Sequence, residues 1–534
     1  MLVLLPVFLL ILTLIALLAL IRFKQATGLV WLISVTAAIL TWVVILVQQF
    51  IQPAPFSLTD WYLGEGATTS LIFRLDQNSW PYAFGLVSLI LAVMMTDASR
   101  FEFQADLEGW VGSLVVTIGG LLAVLAETPL ALILAWTIID VFEMIIVLRT
   151  VERQEQKQQA VIAFSARLAG ILMVVWAVLE SRGRGQGLTL ASFPPEVGIF
   201  LLIAAGLRLG VVPLHLPYTE EPRLRRGLGT AIRLVGPASS LVLLSRLPPT
   251  VAPPVLAPYF LIFTSLAAVY GSVRWLAEKD ELVARPYWII ALAGLAIGSA
   301  VRGRPIAALA WGTALLFAGG AIFLFSARNR LLRVFFILCW IGLSGLPFTP
   351  AASGWQGLVV MPFNLLDIVN ILAHSLLLLG FLRHVLSPGS ASGEMEGWAK
   401  VVYGLGLGVF IVSYWLVGVF GWQGSVTPGN WWASTISVVL CLVGGIGVWL
   451  LNQRSRRTME TDEGWFAMFV RKVSAIIGQV LNLNWLYLLA VFFFRILQRL
   501  VNFVTLILEG EGGILWALVL LVLIISFLLS EGAP

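Results

Sequence analysis

Long apolar runs separated by short polar links occupy almost the whole chain. A bilayer span needs about 20 consecutive apolar residues, and about sixteen stretches qualify. They are Leu2–Ile21, Gly28–Phe50, Pro81–Ala98, Gly109–Ala126, Pro129–Leu148, Ala160–Leu179, a run from Val197, Gly229–Leu247, Leu256–Ala277, Pro286–Val301, Pro305–Phe325, a run from Arg333, Pro362–Leu386, Val401–Gly421, Trp431–Leu451 and Gly513–Leu529. A longer, more polar connection joins Ile51 to Trp80. Two of the runs are broken. The seventh meets Pro213 and Pro217, and the twelfth meets Pro347 and Pro350; proline lacks the N–H and clashes with the preceding turn. Between Asp462 and Glu509 the pattern changes: Arg495, Gln498, Arg499 and Asn502 interrupt an apolar helix. Such a helix can lie at the interface with its polar stripe wet; a transmembrane helix with a polar face is the alternative.

Composition supports this pattern. Of 534 residues, 59% are hydrophobic and 11% charged, against about 25% charged in soluble domains, and the mean hydropathy is +0.96. The expectation is an all-α polytopic membrane protein. Its N-terminal run lacks a basic leader and a small-residue cleavage site, and reads as a retained first span. With the N-terminus outside, Lys and Arg collect on one side, at Arg22, Lys24, Arg149, Arg153, Lys157, Arg223, Arg225, Arg226, Arg274, Lys279, Arg285, Arg328, Arg330, Arg333, Arg454, Arg456 and Arg457. The other side has Arg74, Arg182, Arg184, Arg302 and Arg304. The positive-inside rule makes the first set cytoplasmic; the expected location is a bacterial-type inner membrane or an equivalent energy-conserving membrane. The net charge of +5 reports this topology and gives no sign of nucleic acid.

Candidate chemistry is sparse. Cys339 and Cys441 both lie in apolar runs, and three histidines without Cys/His pairing point to no metal, haem or iron–sulfur site. No phosphate-binding loop, dinucleotide fingerprint or nucleophile elbow occurs, so no cofactor is expected. Arg208 is the exception. Burying a cation in mid-membrane costs about 2.5–3.5 kcal/mol on insertion scales, and this one precedes the broken backbone that holds His215. Beside broken backbone it marks a functional site; snorkelling to the interface is the other reading. Asp140 and Glu143, spaced i, i+3 in the fifth run, share roughly one helix face and offer Arg208 a partner. Asp367 and His374 share a face of the thirteenth run, His374 also reading as a packing histidine.

The order of these features resembles the antiporter-like membrane subunits of complex I, most closely the NADH-quinone oxidoreductase chain L (subunit 5) type. Related chains occur in multi-subunit Na⁺/H⁺ antiporters, membrane-bound hydrogenases and inorganic-carbon uptake systems. The resemblance spans nearly the whole chain and rests on Trp61, Gly64, Phe73, Asp76 and Ser79 before the third span; on Ala163, Phe164, Arg167 and Gly170 in the sixth; on Pro213, His215, Thr219, Glu220 and Pro222; on Arg246; on Asp280, Pro286, Tyr287 and Gly294; on Leu315, Leu316, Phe317 and Gly320; and on Gly345, Leu346 and Pro347.

The resemblance implies discontinuous helices 7 and 12 and a lateral amphipathic helix before the last span. It divides the chain into spans 1–3 (1–108), a repeat with broken span 7 (109–248), a second repeat with broken span 12 (249–400), spans 14–15 (401–452), the lateral helix (453–510) and a final anchor (511–534). It implies a non-catalytic subunit of an NADH:quinone oxidoreductase-like translocase. Proton or cation movement would be coupled to redox chemistry in partner membrane subunits, with Asp140, Glu143, Arg208, His215, Asp367 and His374 as path candidates. The family's lysines and histidines depart here: Arg208 stands at the span-seven lysine, Thr137 at the span-five glutamate, and the neighbourhood of Ala238, Leu282, Leu309 and Thr313 at later relay positions. Arginine holds its proton where a buried lysine can release it. A structural scaffold, or a membrane partner in Na⁺/H⁺ antiport or inorganic-carbon uptake, are therefore the alternatives.

Overall fold

The computed structural model describes residues 1–457, apart from 24–26, 63–67, 98–106, 152, 184–188, 191, 219–225, 249–250, 327–329, 360–362, 388–395 and 428, with helical positions at 492, 495–496, 498–499, 502 and 518–523. It divides into a unit of Met1–Ser474 and a smaller one of Ala475–Pro534. Most of the amphipathic stretch and of the last span lies outside the described residues; the few described positions there are helical.

The first unit is a helical bundle in which the apolar runs become α1 (Leu5–Arg22), α2 (Thr27–Ile51), α3 (Trp80–Thr96), α4 (Leu107–Leu125), α5 (Pro129–Thr150), α6 (Gln154–Gly183), α7 (Gly198–Leu209), α8 (Arg226–Ser245), α9 (Ala257–Ala277), α10 (Arg285–Val301), α11 (Pro305–Leu324), α12 (Arg330–Leu343), α13 (Leu365–Leu386), α14 (Gly397–Phe420) and α15 (Trp431–Arg457). Ten described helices are long and apolar enough to cross a membrane, and five shorter apolar helices accompany them. The protein is an all-α, multi-pass membrane protein.

Burial sorts the helices. Every residue of α10 is buried, as is α3 apart from Met95 and most of α8 and α11. Around them α1 and α6 present Leu12, Ile15, Leu18, Leu172, Trp176 and Leu179 outward, as lipid-facing helices do. Helices α4–α8 pack together, α9–α13 pack together, and α8 joins the two groups through α10 and α11. Indole donors staple the layers: Trp42 donates to the hydroxyls of Ser88 on α3 and Ser413 on α14, and Trp31 and Trp80 donate to the carbonyls of Met94 and Ile45.

The polar connection after α2 is not wholly irregular. It forms an antiparallel hairpin of β1 (Phe56–Tyr62) and β2 (Thr68–Phe73), with Phe56 opposite Phe73. Its second strand carries the pattern onward: Glu127 N–H donates to Ile72, Arg74 N–H to Leu125, and Leu190 N–H to Glu127. The hairpin thereby ties the α4–α5 and α6–α7 links together. The run is rich in aromatic and β-branched residues, which favour strands.

Candidate functional site: a buried ion-pair cluster at the broken seventh helix

Helix α7 ends earlier than its prolines suggest. Gly210 caps it with φ +73 and sends its N–H back to the Gly206 carbonyl; glycine adopts this left-handed conformation at no steric cost. Val211 N–H also reaches the Gly206 carbonyl, and His215 N–H reaches the Gly210 carbonyl, so the turn satisfies backbone groups that lipid could not. Arg208 stands in the last helical turn, where the exposed carbonyl dipoles favour a cation.

Arg208 is 3% exposed. Its Nη1 and Nη2 donate to the two carboxylate oxygens of Asp140 at 2.5 and 2.9 Å, a bidentate pair, and its Nε donates to Ser240 Oγ at 3.1 Å. Its guanidinium carbon lies 4.1 Å from the Trp136 ring centroid. Close passage between α6 and α7 requires Gly170, where a Cβ would stand 2.8 Å from Arg208 Cγ and 3.0 Å from the Ala204 carbonyl oxygen.

Glu143 lies one turn further along α5 and is equally buried. It receives Arg167 Nη1 at 2.8 Å and Arg233 Nη1 at 2.6 Å. Arg167 also approaches Asp140, with Nε at 3.4 Å, and so bridges the two acids. Arg233 places its guanidinium 4.0 Å from the Tyr218 ring. Four helices, α5 to α8, thus bring two carboxylates and three guanidiniums into one buried group. Bidentate and shared arginine pairs are the geometry in which such charges are held in a low-dielectric interior.

The structure brings Asp140, Glu143 and Arg208 together. His215 lies beside the break, with its Nδ1 donating to the Pro213 carbonyl at 2.8 Å. Thr137 faces outward and donates to Ile133, whereas Asp140 and Glu143 both lie on the inward face of α5. Arg233 and Arg167 complete the cluster, and neither was selected as a site residue from sequence. Thr219, Glu220 and Pro222 of the motif after the break lie outside the described residues.

Asp367 and His374 have separate partners. Asp367 forms a capping box with Asn364 at the start of α13 and accepts from both terminal nitrogens of Arg302 at 3.0 Å. His374 Nε2 donates to the Leu343 carbonyl at 3.1 Å, and its Nδ1 meets Ser437 Oγ at 2.8 Å. The Trp311 and Trp355 rings each lie 5.1 Å from its ring. The Leu343 carbonyl is one of those freed where α12 stops. Others nearby are also met: Tyr414 donates to Gly342, Trp311 to Gly354, and Asn430 to Trp355 and Val359. Leu309 and Thr313 are buried, Thr313 donating to Ala310.

These features define a class: a multi-pass helical membrane chain with two interrupted spans and a charge cluster at the first interruption. No family model matches the chain, and no curated protein matches it. Solved structures do. A chain of the Mrp complex from Dietzia sp. DQ12-45-1b has TM-score 0.66 at 15% identity, covering 98% of this chain and 63% of its own. A chain of an archaeal respiratory membrane complex, the membrane-bound sulfane sulfur reductase, has TM-score 0.66 at 14% identity, covering 98% and 99%. A chain of respiratory complex I from Thermus thermophilus with bound aureothin has TM-score 0.55 at 16% identity, covering 78% and 98%. The chain therefore spans 63% of the length of the first of these and nearly all of the other two. The antiporter-like resemblance read from the motifs holds at the level of the fold.

Proposed function

We propose that the chain is an antiporter-like membrane subunit of a multi-subunit, complex I-like assembly, contributing to proton or cation movement coupled to redox chemistry in partner subunits. The observation that carries the reading is the bidentate Asp140–Arg208 pair on the last turn of a helix that stops inside the bundle. Arg208 keeps its charge throughout, so the groups that gain and lose a proton are Asp140 and Glu143, with His215 beside the break. Loosening the Asp140 pair frees a carboxylate next to backbone that can hydrate, and Arg167, in reach of both acids, passes the change to Glu143. His374 with Ser437 is the group through which the second half would continue the path, and Asp367 with Arg302 would close its end.

In the intact complex reconstituted into vesicles, Asp140→Asn should lower coupled ion transport tenfold or more while the complex still assembles. Unchanged transport would reject the role. One observation favours a scaffold instead: at Leu309 and Thr313 the buried interior of α11 offers no titratable side chain. On that reading Asp140→Asn lowers the yield of complex and leaves transport per complex unaltered. Subunits that co-purify with the chain, iron–sulfur and quinone-reducing or antiporter-type, identify the assembly.

A further inference from the structure

The break in α12 is filled by rings. Trp355, in the short 3-10 turn Ala352–Gln356, meets Trp311 of α11 edge to face at 5.6 Å between centroids. Both indoles lie 5.1 Å from the His374 imidazole. Tyr414, which reaches the Gly342 carbonyl, stacks on Phe317 at 5.4 Å. The rings rest on bare backbone. A Cβ at Gly354 would stand 2.6 Å from Trp311 Cε2, one at Gly342 would stand 2.7 Å from Tyr414 Cε1, and one at Gly345 would collide with Trp355 Nε1. Backbone interrupted at membrane depth must be buried in protein or line a wet cavity. Here aromatic donors meet the carbonyls while the ring faces take the space that water would fill.

The wall is not evenly satisfied. His374, Trp311 and Tyr414 all donate to backbone carbonyls. Trp355 Nε1 and Ser353 Oγ, in the one 3-10 turn, are buried without a hydrogen-bond partner. A buried donor left unmet costs its desolvation, so the closed position of the Trp355 indole is less favoured than that of the rings around it. Its backbone is pinned, because Asn430 donates to the Trp355 and Val359 carbonyls; the indole is the part that can move. Its place is between two groups. The ring lies against His374, and the residues that follow, Gly357 and Leu358, lend their carbonyls to Arg302, the partner of Asp367. We infer that the Trp355 indole is a stopper between His374 and the Arg302–Asp367 pair, closing the second interruption to water and opening it by a side-chain swing. The seal follows from the packing alone; its opening as a step of ion movement rests on the function proposed above.

The seal is tested by passive proton entry into vesicles holding the intact complex, driven by an imposed potential and without substrate. Truncating Trp355 leaves a space bordered by His374, Ser353 and backbone carbonyls, polar and large enough for water. Trp355→Ala should therefore raise proton entry severalfold, and adding His374→Leu should return it to baseline. Where Trp355→Ala does not assemble, Trp355→Leu carries the same expectation. Trp288→Ala removes another fully buried indole, one packed on Trp275 and Phe381, and should leave entry at baseline. Baseline entry in both Trp355 variants, equal entry in Trp288→Ala, or a leak that His374→Leu does not reduce, overturns the seal. The swing is read in coupled transport. Trp355→Phe keeps a ring and drops the unmet N–H, so it should hold the closed position, stay tight to passive entry and slow coupled transport severalfold. Unchanged transport in Trp355→Phe, beside a loss in Asp140→Asn, overturns the swing and leaves the proposed function standing. Unchanged transport in both variants removes that function and the swing together, and the passive measurement still decides the seal.

Discussion

Arg208 illustrates why a buried ion pair is best judged by what its removal leaves behind. In Arg208→Met, the Asp140 carboxylate would keep only the long approach of Arg167. Breaking one side of a buried pair costs about 3–5 kcal/mol, because the other charge stays in low dielectric. Chemical unfolding of the detergent-solubilised complex should register a loss of that order. The double variant Asp140→Asn with Arg208→Met should recover part of it, and a double-mutant cycle measures the coupling. The pair was legible in the sequence: an arginine in an apolar run demands an acid, and two acids spaced three apart on the fifth span offer one. The rest of the cluster was less so. Arg233 sits within AIRLVGP and meets the same criterion as Arg208, an arginine inside an apolar run. A single proline follows it, Pro237, and the helix runs on through that residue, whereas two prolines follow Arg208; its partner Glu143 also fits the cytoplasmic end of a helix. Arg167 entered only as part of a motif; that it bridges Asp140 and Glu143 is a matter of how α6 is rotated, which no periodicity states.

At the scale of elements, the two interruptions follow different chemistry. Helix α12 stops, and side chains of α13 and α14 donate to its last carbonyls, His374 to Leu343 and Tyr414 to Gly342, while Trp311 of α11 and Asn430 before α15 donate to carbonyls of the segment beyond the break. Helix α7 is closed by its own backbone at Gly210. There a methyl group would meet the His215 carbonyl oxygen, and an L-residue in the left-handed region costs about 1–2 kcal/mol even in open space. Gly210→Ala should therefore destabilise the chain by at least about 1–2 kcal/mol and raise hydrogen exchange at the amides of Val211 and His215, whose carbonyl acceptors belong to this turn. Gly345, which also has positive φ, occupies the comparable point of the α12 break. The spans were legible as apolar runs because lipid imposes one length and one polarity on each. The hairpin was not, because its strands lie in a stretch read only for its lack of long apolar runs. In the glycine-rich stretch Gly404–Gly408 of α14, a Cβ would press on Met95 at Gly406, make ordinary contact with Leu332 at Gly404 and meet nothing at Gly408, so Gly406 alone marks a close approach.

For the molecule as a whole, the hairpin end is held by charge. Arg246, at the end of α8, donates to the carbonyls of Ala126 and Val124 and stands 3.7 Å from Asp76, while Arg74 pairs with Glu127 at 3.0 Å. Burial tends to raise the Asp76 pKa, but Arg246 and the hydrogen bonds from Ser79 and Asn78 outweigh it and hold the carboxyl below its ordinary 3.8. A group with a depressed folded pKa contributes stability above its ordinary value and loses it as pH falls through the lowered one. The junction should thus hold from neutral pH to about pH 4 and loosen below the ordinary carboxylate range. Proteolytic nicking around residues 74–80 should rise only in that acid window, and Asp76→Asn should be nicked alike at both ends of it.

The enclosure of α3 has a consequence for how the protein is made. This helix is buried along nearly its whole length, and one of the helices that covers it is α14, roughly 300 residues downstream. At about 5–20 residues per second, a ribosome needs tens of seconds to deliver that cover. During the wait the Trp42 indole can donate to Ser88 but not to Ser413, and the face of α3 meant for α14 meets lipid or a chaperone. Translation stalled before Gly397 leaves a half-clad helix exposed to the membrane's quality-control proteases.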